Sequence, residues 1–178
     1  VVTVSGPPGS GTTTAASHVA SQLGLELVPG GRVFRAMAAE HGMTLAQFGA
    51  YAAAQPAVDI ELDRRLAEQA RAGGVVLESR LAGWIAVNEH LDGIRAYLQC
   101  DDRLRAERVA AREGIAVDQA LAENVEREKV EHDRYLALYG LDTGDLSIYD
   151  LVLDSGVLGA RQIADRIVAA VRSRFLTR

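Results

Sequence analysis

The chain has 178 residues, 48% of them hydrophobic and 24% charged, with a net charge of −5. That is enough for one domain with a sizeable core, and the profile of a soluble globular protein. No apolar run reaches the ~18 residues of a membrane span, the negative charge argues against general polyanion binding while leaving room for a local basic cleft, and the lone Cys100 excludes an internal disulfide.

That cysteine usage fits a reducing cytoplasm. Lys129 is the only lysine, so 18 of the 19 basic residues are arginine. Arginine is therefore background in this chain, and position must carry any argument about phosphate binding.

Residues 1–5 form an apolar run without a basic leader, which reads as a buried strand. It passes directly into Gly6, Pro7, Pro8, Gly9, Ser10, Gly11, Thr12, Thr13 and Thr14, and then into a helix. Glycines at both ends let a loop wrap and aim its N–H groups inward, and the helix behind it offers the positive end of its dipole to a phosphate. Gly6, Gly11 and Thr13 satisfy the spacing of a nucleotide-binding loop. Thr13 would supply a hydroxyl for Mg²⁺. The bland alternative is a glycine-rich turn. Thr12 occupies the place of the usual lysine and offers a hydroxyl where a charge is expected. Either arginines elsewhere supply that charge, or the site binds nucleotide without turning it over.

A second strand is expected at 25–28. Residues 32–71 then read as helical with no strand among them, an insertion suited to one wall of a cleft. Within it, Thr44 and Gln47 have the spacing of a capping box, and Pro56 suits a helix first turn. Gly73 ends that helix. Arg35 lies early in the insertion; Asp59 and Asp63, one helical turn apart, are candidates for reading a base or ribose.

The third strand, 75–78, ends in Glu78, Ser79 and Arg80. Arg80 falls at the carboxyl end, where parallel sheets bind ligands, and Glu78 could orient a Mg²⁺-bound water. A fourth strand follows at 94–98, with Cys100 expected as a small buried residue beyond it. Asp101 caps a helix running to Glu113, stopped by Gly114. On it Arg105, Arg108 and Arg112 share one face, fit for a lid over a nucleotide. The next helix spans about 118–139 and places Arg127, Glu131 and Arg134 on one face; a solvated ion-pair face is the plain alternative. A fifth strand at 150–154 and a helix at about 160–175 complete the chain. Most of these strands are nearly all apolar, as strands covered on both faces should be. Strand–helix alternation predicts a three-layer α/β domain with a parallel sheet.

GPPGSGTTT at 6–14, VFRAMAAEHGMTLAQFGAYA at 33–52, DIELDRR at 59–65, VVLESRLAGW at 75–84, RAERVAAREGI at 105–115 and LSIYDLVLD at 146–154 together resemble the archaeal-type cytidylate kinases of the nucleoside monophosphate kinase superfamily. Members of that family also carry threonine at the lysine position, although Ser79 stands where glycine is expected. The resemblance implies a single P-loop kinase domain over 1–178, with a five-stranded parallel sheet in the order 2-3-1-4-5. It also implies an acceptor subdomain at about 30–72, a lid at about 101–135, and transfer of the ATP γ-phosphoryl group to CMP or dCMP with Mg²⁺. Arg127, Glu131 and Arg134 fall on the pattern R-[DE]-x-x-[DE]-x-x-R, whose arginines contact the acceptor phosphate and whose carboxylate contacts the sugar. On this reading Gly6–Thr14 cradle ATP, Thr13 and Glu78 position Mg²⁺, and Arg35, Arg80, Arg127 and Arg134 hold the acceptor phosphate. Arg108 and Arg112 close over the donor. The expected partners are small nucleotides alone, with no nucleic-acid polymer or membrane, and the expected state is a monomer. Alternatives are an adenylate or other small-molecule kinase on the same scaffold, a non-catalytic ATP-binding module, and an interaction protein.

Overall fold

The computed structural model describes residues 1–176. Five short strands, β1 (Val2–Ser5), β2 (Glu26–Pro29), β3 (Val75–Glu78), β4 (Ile94–Gln99) and β5 (Leu151–Asp154), form one sheet in the order β2-β3-β1-β4-β5, with every pairing parallel. Eight helices connect and cover them: α1 (Thr12–Leu23), α2 (Gly30–Glu40), α3 (Leu45–Ala54), α4 (Pro56–Arg71), α5 (Ala82–Asn88), α6 (Asp102–Glu113), α7 (Val117–Tyr139) and α8 (Ala160–Leu176). Strand order and layering follow the sequence expectation. Because all strands run the same way, their carboxyl ends share one edge, where the 6–11 loop, Glu78–Arg80 and Asp101 come together.

Apolar side chains divide into a core on each face of the sheet. One is built from α1 and α8 against β1 and β4, around Val4, Val19, Leu98, Ile163 and Ile167. The other lies under the insertion, where Val28, Phe48, Leu66, Leu77 and Ile85 pack together. The expectation that most strands are covered on both faces holds for β1, wholly buried, and nearly for β3. It fails for the edge strands β2 and β5, which are half-open. Edge position explains this, since each lacks a neighbour on one side.

Local rules account for the helix ends. Thr44 and Gln47 close the expected capping box, Gln47 N donating to Thr44 Oγ1 at 3.2 Å and Thr44 N to Gln47 Oε1 at 2.9 Å. Asp101 accepts from the N–H groups of Arg103 and Leu104. Gly114 stops α6 in the left-handed conformation, at φ 71°. α4 ends at Arg71, two residues before Gly73. Residues 30–71 hold three helices and no strand, and ring contacts stiffen them: Phe34 lies 4.9 Å and His41 5.2 Å from Phe48. α6 and α7 pack into a hairpin with its own small core of Ala106, Val109, Ala110 and Ala120.

Candidate active site

The loop between β1 and α1 is built for close backbone approach. Gly9 and Gly11 both have positive φ, 79° and 83°, conformations that only glycine adopts freely. A Cβ on Gly9 would also meet the Arg105 carbonyl oxygen at 2.6 Å. Ser10 tightens the turn, its backbone N–H and hydroxyl both donating to Pro7 O, at 3.2 and 2.7 Å. α1 begins at Thr12 with Gly11 as its N-cap, no side-chain cap and no acidic residue in its first turn. Its leading N–H groups thus remain available to an anion, backed by the helix dipole.

Thr12, 9% exposed, turns its hydroxyl to Glu78 and donates to Oε1 at 2.6 Å. The sequence reading paired Thr13 with Glu78. Both line the cleft described next, but the hydrogen bond to Glu78 comes from the residue in the lysine position. Thr13 and Thr14 are exposed at the mouth of the loop.

A cleft of about 1050 Å³ opens beside the loop, between the insertion and α7. Arg35 from α2, Arg80 beyond β3, and Arg127 and Arg134 from α7 all line it, as do Asp59 and Asp63 from α4. Four arginines from three separate segments therefore converge on one space. Three of them, Arg80, Arg127 and Arg134, lie against carboxylates. Arg80 Nε donates to Glu131 Oε2 at 2.9 Å, and its Nη1 reaches Gly6 O. Arg127 Nε donates to Glu131 Oε1 at 2.8 Å. Arg134 Nε lies 3.0 Å from Asp59 Oδ2 without hydrogen-bond alignment, and its guanidinium sits 5.5 Å from the Tyr135 ring centre.

Burial opposes ionisation of Glu131, but the guanidinium groups of Arg80 and Arg127 outweigh it and hold its pKa below the usual range. Asp59 behaves oppositely: burial raises its pKa and Arg134 offsets this only in part. Asp63 is pushed up to about 6, first by burial and further by the neighbouring Asp59 charge, although Tyr139 donates a hydrogen bond to it at 2.9 Å.

The arginines of α6 do not act as one face. Arg105 is buried, 3% exposed, with Nη1 donating to Pro8 O at 3.1 Å and to Glu128, and Nη2 to Asp102 Oδ1 at 2.6 Å. It braces the loop from behind and is not free to close over a ligand, which corrects the lid assignment. Arg108 donates to Gly9 O at 3.2 Å and to Ser155 O at 2.7 Å. Arg112 is largely exposed, pairs with Glu113, and also lines the cleft. Cys100 is half-buried, not enclosed, with Arg108 Nη1 3.6 Å from its sulfur. Sequence reasoning missed Glu128 and Tyr139. Glu128 was adjacent to a recognised motif residue, which was the available signal.

A family model described as an AAA domain matches residues 2–131. The chain is 46% identical over 171 residues to a cytidylate kinase of Pyrococcus horikoshii, covering 96% of this chain and 88% of that protein. It is 48% identical over 162 residues to a cytidylate kinase of Methanopyrus kandleri, covering 87% and 84%. Among solved structures, a shikimate kinase from Acinetobacter baumannii superposes with a TM-score of 0.65 at 16% identity, over 98% and 94% of the two chains. A gluconokinase from Sinorhizobium meliloti superposes at 0.64 and 14% identity, over 99% and 93%. At such identities these two speak to the fold alone.

Proposed function

This chain belongs to the cytidylate kinases, and from that premise we propose how its own residues carry the transfer of a phosphoryl group from ATP to CMP. The observation that carries the reading is the convergence of Arg35, Arg80, Arg127 and Arg134 on a cleft that opens at a phosphate-binding loop. Two polyanions must be brought in line there, and only several cations from separate segments can neutralise their repulsion.

The 6–14 loop and the start of α1 hold the ATP phosphates, with Arg108 and Ser155 beside the nucleoside end. The acceptor phosphate is held by the four cleft arginines, and Glu131, fixed between Arg80 and Arg127, is placed to accept from a sugar hydroxyl. Arg112, on the rim, closes over the transferring group. A CMP phosphate oxygen attacks the γ-phosphorus while the bond to the β,γ-bridging oxygen breaks, and ADP leaves. No protein nucleophile is required, so positioning and charge neutralisation supply the rate.

Mg²⁺ fits the residues present. Thr13 and Glu78 both line the cleft beside the loop and carry the oxygen donors that Mg²⁺ takes. Thr13 and Glu78 would hold it, and when bound it would neutralise charge between the β- and γ-phosphates. No helix among the described residues is long and apolar enough to cross a membrane.

The test is ADP release with ATP and Mg²⁺ across CMP, dCMP, UMP, AMP and GMP. Fastest turnover with CMP or dCMP supports the assignment. Fastest turnover with AMP would move it to an adenylate kinase, and ATP binding without any transfer would make Thr12 the mark of a non-catalytic module.

A further inference from the structure

Among the described residues, six buried side-chain nitrogen or oxygen atoms have no hydrogen-bond partner, and three of the six belong to residues that line the cleft: Asp59 Oδ2, Ser79 Oγ and Arg134 Nε. A buried polar atom without a partner is destabilising, so orphans gathered at a binding cleft call for an explanation. Asp59 and Arg134 face each other at 3.0 Å, and their opposite charges compensate them. Ser79 is neutral and has no such recourse.

Its backbone is pinned from both sides. Glu78 before it accepts from Thr12 at 2.6 Å, Arg80 after it donates to Glu131 at 2.9 Å, and its own carbonyl accepts from Ala82 N at 3.4 Å where α5 begins. Against it α2 starts with two glycines. A Cβ on Gly30 would stand 3.0 Å from Ser79 Cβ, and one on Gly31 would stand 3.5 Å from Arg35 Nη1. The first turn of α2 therefore brings Ser79 and Arg35 together, and chain continuity adds Arg80. Glycine, the residue that the family resemblance leads one to expect at 79, would offer neither the hydroxyl nor its cost.

We propose that Ser79 is a further acceptor-binding residue, whose hydroxyl donates a hydrogen bond to the acceptor phosphate between Arg35 and Arg80. The residue is partly exposed although its Oγ is enclosed, and a serine side chain turns among three staggered positions about Cα–Cβ. Turning toward the phosphate breaks no hydrogen bond, because none is made. Binding thus relieves the orphaned donor and gains a bond to an anion, stronger than one between neutral groups. The proposal rests on the reading of the cleft as the acceptor site.

Calorimetric titration of the full chain with CMP and with dCMP, beside melting curves of the unliganded protein, tests it. Ser79→Ala should weaken both nucleotides ~10-fold or more, the scale of a hydrogen bond to a charged group. The unliganded variant should melt at the wild-type temperature or above it, since an orphaned hydroxyl has been removed. Ser79→Gly should weaken binding alike and serves if alanine disturbs the turn. Unchanged affinity in both variants overturns the proposal. So does a loss of affinity matched by a lower melting temperature in Ser79→Ala, which would make the residue structural. A loss seen with CMP and spared with dCMP would put the hydroxyl on the sugar and overturn the phosphate assignment. Failure of the wild type itself to bind either nucleotide would instead remove the acceptor-site reading, and the proposal with it.

Discussion

Asp63 lines the acceptor cleft with its pKa pushed from 3.8 up to about 6 by burial, so the folded state binds its proton more tightly than the unfolded chain. Stability from this group is full below about pH 4, is lost as pH rises through about 6, and stays lost at neutral pH. A shift of about two units corresponds to about 3 kcal/mol; partial solvent access in an open cleft reduces this to about 1–2 kcal/mol. Asp63→Asn keeps an acceptor oxygen for Tyr139 Oη and removes the charge. We expect the variant to melt ~2–8 °C higher than the wild type at pH 7.5, with the gain gone at pH 4. The same substitution should raise KM for CMP ~10-fold or more if the carboxylate reads the acceptor, as charge-assisted hydrogen bonds contribute ~1.5–3 kcal/mol. Melting curves at the two pH values and steady-state kinetics on one preparation decide it. A stability gain independent of pH would refute the burial argument, and a gain with unchanged KM would remove Asp63 from the acceptor site.

Arg80→Ala should lower kcat/KM for CMP by ~10²–10³, the scale of one lost transition-state donor; an unchanged rate would take Arg80 out of the reaction. Thr12→Lys, which restores the usual loop residue, should reduce turnover, because the ammonium would pair with Glu78 where Thr12 now donates one hydrogen bond at 2.6 Å. Steady-state turnover of ATP and CMP with Mg²⁺ checks this, and a gain in rate would show that the loop lacks only a charge. Arg105→Ala leaves Glu128 without its partner and frees Pro8 O, so urea denaturation should show a loss of ~3 kcal/mol. A loss below ~0.5 kcal/mol would make the brace incidental.

Much of the architecture was legible because it rests on local rules. The capping box at Thr44, the Asp101 cap, the proline at the start of α4 and the glycine stop at Gly114 depend only on residues a few positions apart. The shared face of Arg127, Glu131 and Arg134 was legible too, since helical spacing alone places them on one side of α7, where all three line the cleft. What escaped was contact across long separations. Thr12 and Glu78 are 66 residues apart, and nothing in either segment announces the other. Arg105 was misread because helical period says which residues share a face and not what the face touches. A clue was present, however. Val109 lies one turn after Arg105 and is buried, so that side of α6 was bound to be packed. The abundance of arginine hid the distinction further, since a buried brace and a mobile finger carry the same side chain.

α7 is 23 residues long, a rod of ~34 Å. At Glu128 it grips Arg105, and through it Pro8 of the phosphate loop; at Arg127, Glu131 and Arg134 it lines the cleft. A tilt of this rod on binding in the cleft would therefore reach the phosphate loop through one side chain of α6, Arg105. Thermodynamic reciprocity then requires each nucleotide to change the other's affinity by the same factor. The order in which the two arrive leaves that factor unaltered.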